Sequence, residues 1–183
     1  MRILIVLGVV VVLVACGKSE PADRGTAAVT SGSAAAGSAA PRADVLAVDH
    51  VTLLHPEAVI GQRLADTDGL AATLKAVGAA VVAYDGAHAG LPAELDAIVV
   101  ARKGAVRVWL VGATGDLAIP QLDQTFGKLA ALDVSESNVG AVITLRRSPT
   151  TAARGPYLPA SWKQAAGKNG MQLDQVIDAA WPR

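Results

Sequence analysis

The chain has 183 residues, 52% of them hydrophobic and 17% charged, with 16 Lys+Arg against 16 Asp+Glu. That is one globular domain plus accessories, and the balanced charge argues against nucleic-acid binding. Much of the apolarity sits in the first sixteen residues, which must be set aside before the fold is read.

The opening MRILIVLGVVVVLVAC carries one cation, Arg2, then an apolar run from Ile3 to Val14, then Ala15 before Cys16. This is the layout of a secretory signal. As a helix the run would reach about 18 Å, short of a hydrocarbon core of about 30 Å, so a signal outranks a spanning helix.

Leu13-Val14-Ala15-Cys16 resembles the lipobox of bacterial lipoproteins. The resemblance covers residues 1–16 only. It implies that residues 1–15 are removed, that the Cys16 sulfur receives a diacylglycerol, and that the freed amine is often acylated, for example by palmitate. Two or three acyl chains hold a protein stably on a bilayer. No Asp follows Cys16, where Gly17 and Lys18 stand. By the same resemblance, the periplasmic side of an outer membrane is the favoured location. Loss of Arg2 leaves 15 basic and 16 acidic side chains, a formal charge of −1. The only cysteine is spent on the anchor, so the folded part has none for a disulfide.

Of the 28 residues from Gly17 to Asp44, 21 are Ala, Gly, Ser, Thr or Pro, and Val29 is the one larger apolar side chain. Such a segment buries too little surface to offset ordering entropy. Residues 16–44 thus read as the lipidated cysteine and a tether, and 45–183 as a single globular domain.

Within it, Leu46–Leu54 reads as a strand and Pro56–Leu64 as a short helix. A second helix, capped by Asp66 or Thr67, places Leu70, Leu74 and Val77 on one stripe and is expected to stop at Gly78. Ala79–Tyr84 is expected as a strand. Asp96–Val111 predicts a hairpin about Lys103-Gly104, which sets Arg102 opposite Ala105, Val100 opposite Arg107 and Ile98 opposite Trp109. Its other face is apolar throughout and must be core. Pro120 opens a helical pattern of Leu122, Phe126, Leu129 and Leu132, and Val139–Arg146 alternates as a strand. After a loop at 149–159, Pro159–Ala166 and Gln172–Trp181 predict two short helices, the second amphipathic. The expected fold is α+β, a mainly antiparallel sheet with helices packed on one face, plus two short C-terminal helices.

Chemical motifs are sparse. His50, His55 and His88, with Glu57 and Asp85, are the candidates for a metal site or an envelope hydrolase, but their spacing is not that of a ligand set. No G-x-S-x-G is present, and Gly112-Ala113-Thr114-Gly115 lacks the Lys-Ser/Thr of a phosphate loop. Asp116 and Asp123 fit turn and capping roles better than a catalytic pair. Catalytic, cofactor and metal residues are therefore not assigned, and no cofactor is expected. Arg146, Arg147 and Arg154 form a basic cluster that could meet anionic lipid or remain solvated. Arg107 and Trp109 are the candidate binding surface, since Arg and Trp dominate interface energetics. The competing reading covers that face with a C-terminal segment bearing Tyr157, Trp162 and Trp181. The functional expectation is a lipid-anchored envelope protein with a non-catalytic binding or assembly domain, held to the membrane through Cys16 and meeting an envelope protein partner. An envelope hydrolase or metal-dependent enzyme, and a carrier of a small ligand or lipid, are the alternatives.

Overall fold

Lys103-Gly104 closes the hairpin in the expected register. In the computed structural model, which describes residues 45–135, 137–148, 154–167 and 171–181, β2 (Glu94–Arg102) pairs antiparallel with β3 (Ala105–Gly112), with Arg102 facing Ala105 and Ile98 facing Trp109. Gly104 sits at φ 75° while Lys103 keeps a negative φ, the sign pattern of a type II turn. A Cβ there is unfavourable whatever the space around it. Gly104→Ala should therefore cost about 1–2 kcal/mol in a urea titration. The signal, Cys16, the tether and residues 149–153 of the 149–159 loop lie outside the described residues.

β5 (Asn138–Arg146), buried along its whole length, lies between β2 and β1 (Ala47–Leu53). With the two-residue β4 (Gly115–Asp116) the order is β1-β5-β2-β3-β4, antiparallel at every pairing. The fold is α+β. Strands buried on both faces need not alternate in polarity, and β2 and β5 carry apolar side chains on each side.

On one face, Leu95, Ala97, Val99, Leu110, Ile143 and Leu145 pack with α2 (Thr67–Ala87) and α3 (Pro120–Phe126). Here the helix expected to stop at Gly78 runs on to Ala87, and the strand expected at Ala79–Tyr84 is its second half. Gly78 serves close approach instead of termination. A Cβ at that position would meet Val48 Cγ2 at 3.0 Å. Val77, Val81 and Asp85 continue the buried stripe at four-residue spacing, so packing overrides the β-branched pair Val81-Val82. Asp66 caps the helix, its carboxylate accepting from Asp68 N. At one end of the sheet, α1 (Glu57–Arg63) contributes Ile60 to a cluster with Leu64, Leu70, Leu132, Val134 and Val139. α3 ends at Phe126, so Leu129 and Leu132 reach their cores from the chain beyond it.

The opposite face is covered by α4 (Ala160–Ala166) and α5 (Leu173–Ala180), which lay Trp162, Ala165, Val176 and Ile177 on Ile98, Val100, Val111 and Val142. Gln172 and Gln175 form a reciprocal capping box at the start of α5. The sheet is therefore held between two helical layers.

Candidate binding surface

The C-terminal layer is fastened at one end by charge. β2 and β5 place Glu94, Asp96, Thr144 and Arg146 on the face beneath it, with Asp96 opposite Thr144 and Glu94 opposite Arg146. Asp96 is wholly buried. Its oxygens accept from Arg154 Nη1 and Nη2 at 2.7 and 3.1 Å, Thr144 Oγ1 at 2.8 Å and Tyr157 N at 2.6 Å. A buried carboxylate is tolerable when its oxygens are met in this way. Arg154 Nε also donates to Glu94 Oε1 at 2.6 Å, and its Cζ stands 3.6 Å from the Tyr157 ring centroid.

Arg146 donates from Nε to the same Glu94 oxygen at 2.6 Å and from Nη1 to Asp49 Oδ2 at 3.0 Å. Burial works against ionisation of Glu94, but the hydrogen bonds and charges of Arg146 and Arg154 outweigh it and hold the carboxyl below its ordinary value. Arg147 pairs with buried Asp85, which also accepts from Leu46 N at 2.8 Å. Arg146, Arg147 and Arg154 therefore form no solvated basic patch. Each meets a carboxylate of its own domain, which removes the charge an anionic lipid would need.

A second polar tie lies near α1. Arg63 forms a bidentate pair with Asp174 of α5, at 3.0 and 2.8 Å, and its Nη1 also donates to Asn138 O at 2.9 Å. His55 Nε2 lies 2.9 Å from Asp174 Oδ1. Asp174 is held below the ordinary aspartate value chiefly by the Arg63 hydrogen bonds, against burial and with His55 assisting. A lowered folded-state pKa contributes stability that is complete above the unfolded pKa and is lost as the pH falls through the folded one. Urea midpoints taken at descending acid pH should therefore fall for the native chain. Asp174→Asn should start lower at neutral pH and fall less steeply.

The three histidines occupy three separate places. His50 contacts Asp49 at 2.8 Å, His55 is the Asp174 partner, and His88 stacks on Tyr84 with centroids 4.3 Å apart. Among the described residues no three His, Cys, Asp or Glu side chains gather as a metal-binding set. Glu57 sits exposed in the first turn of α1 and Asp85 belongs to Arg147. His55 is buried, so an alanine there tests the fold rather than a reaction. Asp116 accepts from Ala160 N at the start of α4 at 3.0 Å, and Asp123 lies in the first turn of α3. Two surface clefts, of about 440 and 330 Å³, lie around the C-terminal end of α2, lined in part by Asp85, His88 and Arg147 and by Tyr84, Leu91 and Asp116. Between sheet and C-terminal helices, where the carrier alternative would place its ligand, Trp162, Val176 and Ile177 fill the space.

Trp109 lies at the open margin of this layer. It is half-buried, edge-on to Trp162 at 5.7 Å and to Trp181 at 5.9 Å between centroids. The C-terminal segment thus covers the face but leaves its rim accessible. Arg107, exposed, holds its Cζ 5.2 Å from the Trp109 centroid, and Arg102 holds its Cζ 4.8 Å from that of Trp181. Guanidinium over an indole face is an attractive cation–π geometry. The hairpin register places Arg102 and Arg107 near the turn on one face of the sheet, so Arg107 was legible as part of a surface. Arg102 was not, because its aromatic partner comes from the far end of the chain.

Compared with known proteins, the chain matches no protein-family model, no curated protein and no solved structure.

Proposed function

We propose that this is a lipid-anchored protein of the bacterial cell envelope, tethered through Cys16, whose folded domain is a non-catalytic binding or assembly module. The lipobox-like LVAC and the tether of small residues support the anchor. One observation carries the binding reading. The buried carboxylates Asp85 and Asp96 and the partly exposed Asp174 are engaged in holding the domain together, while Arg102 and Arg107 lie over Trp181 and Trp109 with no carboxylate partner among the described residues. Two cations beside two accessible indoles suit an envelope protein that presents carboxylates next to an apolar side chain.

The test is crosslinking and affinity recovery of the full lipidated chain from its own membranes, beside Cys16→Ala and the pair Arg102→Glu with Arg107→Glu. One protein recovered near stoichiometry from the native chain and lost from both variants, with the urea midpoint of the arginine pair unchanged, is expected. Equal recovery by the arginine variant would reject the surface. Equal recovery by Cys16→Ala would reject the need for an anchor.

A further inference from the structure

Among the described residues, the outer edge of β1 has no neighbour in the sheet. All seven of its residues are exposed, and Val48, Val51 and Leu53, at 46%, 46% and 43% exposure, are the large exposed hydrophobic residues of the described domain. Soluble domains shield such an edge with a lysine, a proline, an inward charge or a covering loop. β1, of sequence AVDHVTL, has no lysine or proline, and its Asp49 is drawn toward Arg146.

The backbone of this edge is ordered for pairing. Leu54 N donates to Gly140 O, so by alternation Thr52 and His50 point their peptide groups at β5 while Leu53 and Val51 point theirs away. The register shift between Val48 and His50 turns Val48, opposite Leu145, outward as well. The three side chains share the α2 face, where Gly78 lets the helix approach Val48 and Ala71 and Val82 extend its stripe at helical spacing. The outward peptide groups and the exposed apolar side chains therefore belong to the same residues.

We infer that β1 pairs antiparallel with β1 of a second copy of this chain, joining two five-stranded sheets into one about a two-fold axis. A second copy is the occupant that this edge selects, because its outward peptide groups and its exposed valines are complementary to themselves about a two-fold. With the axis passing between positions 49 and 50, Val48 faces Val51 of the other copy, both with outward peptide groups, and Asp49 faces His50 of the other copy. An isologous contact repeats each favourable pair twice. Asp49 is already met by His50 and Arg146 of its own chain, so the two-fold opposes no uncompensated charge to another.

The test uses the full-length chain in its own membranes, with cysteines placed at both Val48 and Val51. Facing residues of a hydrogen-bonded antiparallel pair stand about 5.5 Å apart at Cα, within disulfide reach. Mild oxidation should convert the double variant to a reducible species of twice the chain mass. The native chain, with Cys16 alone, and a Lys128→Cys control should not give it. Val51→Lys should weaken self-association by about tenfold or more in ultracentrifugation of the detergent-solubilised chain, with an unchanged far-UV spectrum. A double variant that remains monomeric on oxidation would overturn the inference. So would an adduct whose mass reveals a different protein on the edge.

Discussion

Replacing Asp96 with alanine is expected to destabilise the domain by about 3–5 kcal/mol, the range for removing one partner of a buried ion pair. That is a large share of the roughly 5–15 kcal/mol that holds a domain of this size together. Asp96 is where the C-terminal segment is fixed to the sheet. The change strands the Arg154 guanidinium, the Thr144 hydroxyl and the Tyr157 amide, all of which donate to that one carboxylate. Urea titration followed by far-UV circular dichroism should show the lower midpoint, and hydrogen exchange should rise first from Tyr157 through α4. Arg154→Ala should act in the same direction by leaving the Asp96 charge buried without its cation. The two changes together should cost less than their sum, because each alone strands the other partner. A cost below about 1 kcal/mol for Asp96→Ala would mean that the C-terminal layer docks by apolar contact alone.

Trp162→Ala should have a comparable effect, about 3–5 kcal/mol, as expected for emptying a fully buried aromatic site. Trp162 is 1% exposed and fits among Ile98, Val100 and Val142 of the sheet and Val176 and Ile177 of α5. Its loss also removes the edge contact with Trp109, worth about 0.5–1.5 kcal/mol. Trp162→Phe separates volume from polarity. Among the described residues no acceptor meets the indole Nε1, so phenylalanine keeps much of the packing and gives up no hydrogen bond to them. Its cost should remain below about 1.5 kcal/mol in the same titration. Equal losses for the two variants would show that the ring's full breadth, not its bulk alone, sets the spacing between sheet and α5.

The hairpin was readable because its information is local. Two apolar runs and one glycine fix which residues face each other, and eight paired positions follow. The second half of α2 was misread for a related reason. A glycine that ends a helix and a glycine that lets a helix touch a strand look alike in sequence, and only Val48, thirty residues earlier, distinguishes them. The charged residues were harder still. Arg146, Arg147 and Arg154 stand close together in the chain, but the carboxylates that meet them lie 52 to 97 residues away, so proximity suggested a basic patch where folding makes ion pairs. At the candidate surface, Arg107 and Trp109 were legible from hairpin register. Whether the C-terminal segment covered them was left open, and the outcome is divided: Trp162 seals the interior, while Trp181 ends at the rim and adds Arg102 to the accessible group.

All three tryptophans of the chain belong to the C-terminal layer and the strand beneath it. Indole emission is therefore a gauge of one side of the molecule. A partner that settles on Arg107 and Trp109 should shift the emission and disturb the near-ultraviolet ellipticity of the coupled rings. Pairing at β1, whose exposed apolar side chains lie on the α2 face, should leave both almost unchanged. A single optical titration can thus assign an added protein to one side of the sheet or the other before any residue is altered.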